Sequence, residues 1–189
     1  MIRRTFLQQA LLLPLLAAPT GAALAQFESA SLKPIVKAVR EGDEEKVRQN
    51  LLKGESANQI DSTGQPLLMV AVMAGHLTVV ETLLKGGAAV DALDREGYTS
   101  LIRGAERGDI DIVELLLKSN AKPNTQTRQG VTALMVAARL GYSEVVRILL
   151  DRKANPNTPD FTGRTALTYA RQGNRSTIEG MLRKAGGKE

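Results

Sequence analysis

The sequence contains no cysteine and no tryptophan, a single histidine and only 3% aromatic residues. Without cysteine, a disulfide framework, a thiolate metal site and a thiol nucleophile are all excluded. One histidine and no cysteine also fall short of the donor sets that zinc sites use. The glycines are scattered at turn-like positions and do not cluster into a loop that could cradle phosphate. Asp43, Glu44 and Glu45 form a short acidic run, but no calcium-ligand loop surrounds it; at a helix start these residues favour the helix dipole. With so few aromatics, a core must be built from Leu, Val, Ile, Ala and Met. An excess of one charge is missing too. The formal net charge is +5, and Arg3 and Arg4 lie in a stretch, residues 1–25, that has no acid, so the remainder carries +3. That balance does not point to nucleic acid. The 189 residues suffice for one domain with a substantial core.

The N-terminus reads as an address. Met1-Ile2-Arg3-Arg4-Thr5-Phe6-Leu7 is followed by an apolar run from Ala10 to Ala18, broken at Pro14, and then by Ala23-Leu24-Ala25 before Gln26. A basic start, a short apolar middle and a small–x–small end make a secretory signal peptide, expected over residues 1–25. The run is shorter than the ~20 apolar residues that span a bilayer, so no stable membrane insertion is expected after cleavage. No Cys follows Ala25, which excludes a lipoprotein. Arg3-Arg4-Thr5-Phe6-Leu7 resembles the twin-arginine export motif, although Ile2 and Gln8 depart from it. The twin-arginine route and general secretion with an incidental Arg pair both remain open. Either leads to the periplasm.

The rest of the chain is periodic. Gly42, Gly75, Gly108 and Gly141 lie 33 residues apart, as do Gly64, Gly97, Gly130 and Gly163. Val47, Val80, Val113 and Val146 keep the interval, and so do Leu51, Leu84, Leu117 and Leu150. Asn58, Asp91, Asn124 and Asn157 complete the set. Apolar residues at helical spacing follow each first-set glycine, for example Val79, Val80, Leu83 and Leu84. Thr99, Thr132 and Thr165 stand where a side-chain oxygen can cap a helix. Asp61, Asp94 and Asp160 lie three residues before a glycine, at a turn.

Asp61-Ser-Thr-Gly64-Gln-Pro66-Leu-Leu68-Met-Val-Ala71-Val-Met-Ala-Gly75-His76 and Gly130-Val-Thr132-Ala-Leu134-Met-Val-Ala137-Ala138-Arg-Leu-Gly141 carry a resemblance. They are similar to the ankyrin repeat, a turn followed by two helices. The chain resembles small exported bacterial ankyrin-repeat proteins over residues 33 to about 187. The resemblance implies an all-α solenoid of about five stacked helix–turn–helix repeats with β-turn or hairpin loops. The expected boundaries are 26–57, 58–90, 91–123, 124–156 and 157–189. Lys46, Gln49 and Asn50 in the first repeat, and Arg171, Glu179 and Arg183 in the last, replace apolar residues, as end caps require. His76 falls on the family's Gly-His position, a structural one. In the middle repeat Arg103 occupies a usually apolar position and Gly104 replaces the usual Ala. Tolerated drift, with Arg103 reaching solvent along its stem, is the expected reading.

No catalytic constellation is present, so the expectation is a protein that is not an enzyme and takes no cofactor. The resemblance implies that a protein partner binds the concave surface formed by the turn tips and first helices. On that surface it places Met73, Leu93, Arg95, Tyr98, Arg107, Arg128, Arg139, Leu140, Phe161 and Arg164. Arg and aromatic groups together are the usual makings of a binding hot spot. The expected function is thus a periplasmic, monomeric protein-binding module. An immunity or inhibitor protein acting through the same face on an exported toxin or enzyme is the alternative.

Overall fold

Residues 33–188 are described by the structure, a computed structural model; the segment read as a signal peptide, residues 1–25, lies outside them. The described residues wind into ten helices taken in pairs. α1 (Pro34–Glu41) and α2 (Glu44–Leu52) form the first pair, and α3 (Leu67–Ala74) and α4 (Leu77–Lys85) the second. α5 (Ser100–Arg107) and α6 (Ile110–Lys118) form the third, and α7 (Ala133–Leu140) and α8 (Ser143–Asp151) the fourth. α9 (Ala166–Gln172) and α10 (Ser176–Lys184) complete the series. An isolated bridge between Ile60 and Pro66 is the one piece of β pairing among the described residues.

The pairs stack into two rows. The first helices α1, α3, α5, α7 and α9 pack in succession, and α2, α4, α6, α8 and α10 do the same. A first helix therefore has neighbours before, behind and beside it. That explains why α3 and α7 lack a polar stripe: Leu67 to Val72, and Ala133 to Ala138, are buried without a break. The second helices bury one side only, such as Val79, Val80 and Leu83 of α4. Ala71, Ala105, Ala137 and Ala170 are fully buried, and their small side chains let the first helices approach closely.

Local chemistry sets the helix ends. Pro34 opens α1, where its missing N–H costs nothing. Asp43 and Asp109 cap α2 and α6 through their carboxylates. Thr99 accepts from the amide of Ile102 at 3.2 Å and Thr132 from that of Met135 at 3.4 Å. Thr165 does not act as expected. Its hydroxyl donates instead to the carbonyl of Lys188 at 2.9 Å. Lys188 is held in reach by Asn157, which accepts from its amide at 2.7 Å. α7 ends at Gly141 with φ 93°, a left-handed conformation that glycine adopts without strain.

A ladder of side chains ties neighbouring repeats together. Asn58 accepts from Ala89 N at 2.7 Å and donates to Gly87 O at 3.0 Å. Asn124 repeats both bonds with Asn155 and Lys153, and Asn157 with Lys188 and Gly186. Asp91 accepts from Lys122 N at 3.0 Å but, as a carboxylate, has no proton to donate. A second set of contacts covers the helix ends. His76 lies against Gly42 with Nε2 3.3 Å from Arg40 O, and Arg175 lies against Gly141 and donates to Arg139 O at 3.3 Å. His76 is thus structural, as its position in the repeat implied.

Candidate partner-binding face

The turns that project beside the first helices are shaped by one side chain each. Asp61 accepts from Thr63 N at 2.9 Å and Gln65 N at 3.0 Å, two and four residues on. Asp94 does the same with Glu96 and Tyr98, both at 2.9 Å, and Asp160 with Thr162 at 2.8 Å and Arg164 at 2.9 Å. Thr127 makes the corresponding bonds to Gln129 and Val131 in the fourth turn. A short polar side chain binding its own backbone two residues on is what closes such turns. Successive turns then stack. Arg95 lies over Gly64, Arg128 over Gly97 and Phe161 over Gly130. The amides of Arg128 and Phe161 donate to Glu96 O and Gln129 O, each at 3.1 Å.

Three of these turns carry a buried aspartate paired with an arginine. Asp160 accepts from the Thr162 hydroxyl at 2.7 Å, Arg164 Nε at 2.8 Å and the Tyr169 hydroxyl at 2.8 Å, besides its two amides. Burial opposes its ionisation, but these bonds outweigh burial and hold the carboxyl well below the usual range. Tyr169 is pushed up, first by burial, then by its hydrogen bond to Asp160 and by the charge of that carboxylate. In the third repeat Asp94 pairs with Arg103 at 3.2 Å, and Arg103 also reaches Glu106 at 3.1 Å. The Arg103 guanidinium lies 3.6 Å from the centre of the Tyr98 ring. The reading of Arg103 as drift that escapes to solvent is therefore wrong. Its side chain is only 17% exposed, and two carboxylates and an aromatic face hold it there. Asp61, in the second repeat, is lowered to about 2. Burial works against this, while Thr63, Gln65 and Arg40 supply the bonds that prevail.

Nine of the ten residues expected on the face separate into four groups, and Leu140 joins none of them. Tyr98, Arg139 and Arg164 border one groove of about 280 Å³, shared with Glu106, Val131, Val136, Tyr169 and Gln172. Arg95, Arg128 and Phe161 run along the turn tips, and Phe161 is 72% exposed although it rests on the next turn. Leu93 lines a separate apolar hollow with Ile60, Pro66 and Leu68. Met73 and Arg107 meet each other, Arg107 donating to the Met73 carbonyl at 2.7 Å. Tyr98 and Leu140 are less open than expected. Both are half-buried against the core, Tyr98 because Arg103 stacks on it and Leu140 because it completes the last turn of α7. Sequence reasoning passed over Arg103 and Tyr169 as parts of the face. Their signal was present: a Tyr and an Arg five residues apart follow a turn Asp in two repeats.

The groove is periodic as well. Tyr98, Val131 and Arg164 are equivalent positions of repeats three, four and five, as are Arg103, Val136 and Tyr169, and Glu106, Arg139 and Gln172. Valines floor its centre, and polar groups stand on both sides. Arg95, Arg128 and Arg139 have no carboxylate partner among the described residues, whereas Asp94, Glu106 and Asp160 are each engaged by an arginine. No cluster of three or more His, Asp or Glu side chains that could hold a metal occurs among the described residues.

Two family models match the chain. One for ankyrin repeats in three copies covers residues 35–127, and one for ankyrin repeats in many copies covers residues 118–170. No curated protein matches it.

Proposed function

Because the chain belongs to the ankyrin-repeat family, whose repeats are generally protein-interaction modules, we propose that it is a non-enzymatic module that binds a protein partner on the face of turn tips and first helices. One observation carries the choice of face. Arg95 and Arg128 on the turn tips, and Arg139 in the groove with Tyr98, stand there without carboxylate partners among the described residues. A surface that satisfied itself would pair these cations, as Arg103 and Arg164 are paired. Guanidinium and aromatic groups lose little freedom on binding and anchor interfaces well. The basic start, apolar middle and small–x–small end of residues 1–25 support a periplasmic home for this interaction.

The test is affinity capture from periplasm with the tagged chain. The native protein should retain a partner that cross-links to the face. Tyr98→Ala with Arg128→Ala should lose it while keeping the native far-UV circular dichroism. Equal capture by both proteins would overturn the assignment of the face.

A further inference from the structure

We propose that the groove across repeats three to five takes an acidic, extended segment of the partner protein, with carboxylate side chains on the arginines and apolar residues on the valine floor. This rests on the protein-binding reading above and narrows it to a chemistry. Charge is the first argument. On this face three acids are already engaged, Asp94 and Glu106 by Arg103 and Asp160 by Arg164. Of the exposed acids beside the turn tips, Glu96 makes no ion pair among the described residues. Arg95, Arg128 and Arg139 thus face solvent with little to oppose them, and their field favours a negative partner.

Pre-organisation is the second argument. Arg164 is half-exposed, yet Asp160 and the Tyr169 hydroxyl fix its Nε and Nη2, the latter 3.1 Å from the tyrosine oxygen. Its Nη1 keeps protons to give. A guanidinium already held in place loses less entropy when a carboxylate arrives. Arg139 stands one repeat away in the same groove, and Gln172 adds amide donors. Between them Val131 and Val136 offer an apolar floor that a phosphate or a nucleic-acid backbone would leave uncovered. Residues of an extended chain point alternately to opposite sides. Such a chain carrying acidic and apolar residues can therefore address guanidiniums and floor together.

Labelled peptides of equal length test this on the full chain by fluorescence anisotropy. One alternates Asp or Glu with Val and is amidated; a second replaces the acids with Gln, a third with Lys. The acidic peptide should bind best, and added salt should weaken it. Arg139→Glu should reduce its affinity roughly tenfold, and the Lys peptide should gain on that variant. Inorganic phosphate should compete no better than chloride at equal ionic strength. Equal binding of the three peptides, preference for the Lys peptide on the native chain, or tighter binding of a single-stranded oligonucleotide would each overturn the proposal. If the captured partner is still lost with Tyr98→Ala and Arg128→Ala while the acidic peptide fails, the acidic chemistry is refuted and the protein-binding reading stands. If neither capture nor peptide responds to these variants, both fall.

Discussion

Repeats three and five solve the same local problem with the same residues exchanged. Each has a turn aspartate, Asp94 or Asp160, that must be neutralised. Repeat three places Tyr98 on the turn and Arg103 on the helix; repeat five places Arg164 on the turn and Tyr169 on the helix. In one the arginine is sunk and the ring faces the groove. In the other the ring is sunk, with its hydroxyl on Asp160, and the arginine stays 42% exposed. The lesson concerns what the face displays. The buried demand is met either way, so the exchange fixes whether a repeat shows an aromatic or a cation to a partner. Repeat four, with Thr127, Val131 and Val136, has no buried charge to neutralise and shows valine.

The comparison is broken most directly at the aspartates. Asp160→Ala removes an acceptor of five groups and leaves Tyr169 and Arg164 without their shared carboxylate. The expected cost is about 4 kcal/mol, against about 2 for Asp94→Ala, whose acceptor has fewer donors. Urea titration checks both, and equal losses would mean that the two cores are energetically alike. Acid should single out the same groups. Asp61 and Asp160 have folded-state values below the ordinary 3.8, so the stability they add is complete above that value. It is lost as pH falls through 3.8 toward the folded value, near 2 for Asp61. Asp160→Asn should flatten stability against pH in that window; an unchanged slope would contradict the origin given for the shift.

The exchange itself can be tested next. Arg103→Tyr alone leaves buried Asp94 without its cation, and Tyr98→Arg alone sets two guanidiniums together; each should cost about 2 kcal/mol. The double variant copies repeat five and should recover about 1–2 kcal/mol of their sum. Thermal and urea unfolding of the three proteins decide it. Strict additivity would show that the two arrangements are not interchangeable.

How much of this could be read beforehand follows from distance along the chain. The stack and the helix-ending glycines depend on residues a fixed 33 apart, and a period survives in one dimension. The capping of Thr99 and Thr132 is local and was equally plain. The role of Thr165 was not, because its partner Lys188 lies 23 residues further on and is brought to it only by packing. Arg103 looked like drift because its justification, Asp94 and the ring of Tyr98, lies on a turn that must first close against the helix. The separation of Leu93 and of the Met73–Arg107 pair from the groove also depends on packing angles that composition does not encode.

The smallest effect sharpens the comparison at the backbone. Gly104 in repeat three corresponds to Ala170 in repeat five, and both lie buried in the row of first helices. A Cβ at Gly104 would meet Val113, Ile112 and Leu116 of its own repeat at 3.4, 3.6 and 3.7 Å, ordinary contact distances. Arg103 needs no space there, since it leans toward Asp94 and Glu106. Gly104→Ala should therefore add only the helix preference of alanine, about 1 kcal/mol or slightly less, and raise the melting temperature. Its effect should be the same in the Tyr98→Arg, Arg103→Tyr background. A loss of stability in either background would mean that the missing methyl group makes room for the buried arginine, and that repeat three differs from repeat five in its backbone as well as in its side chains.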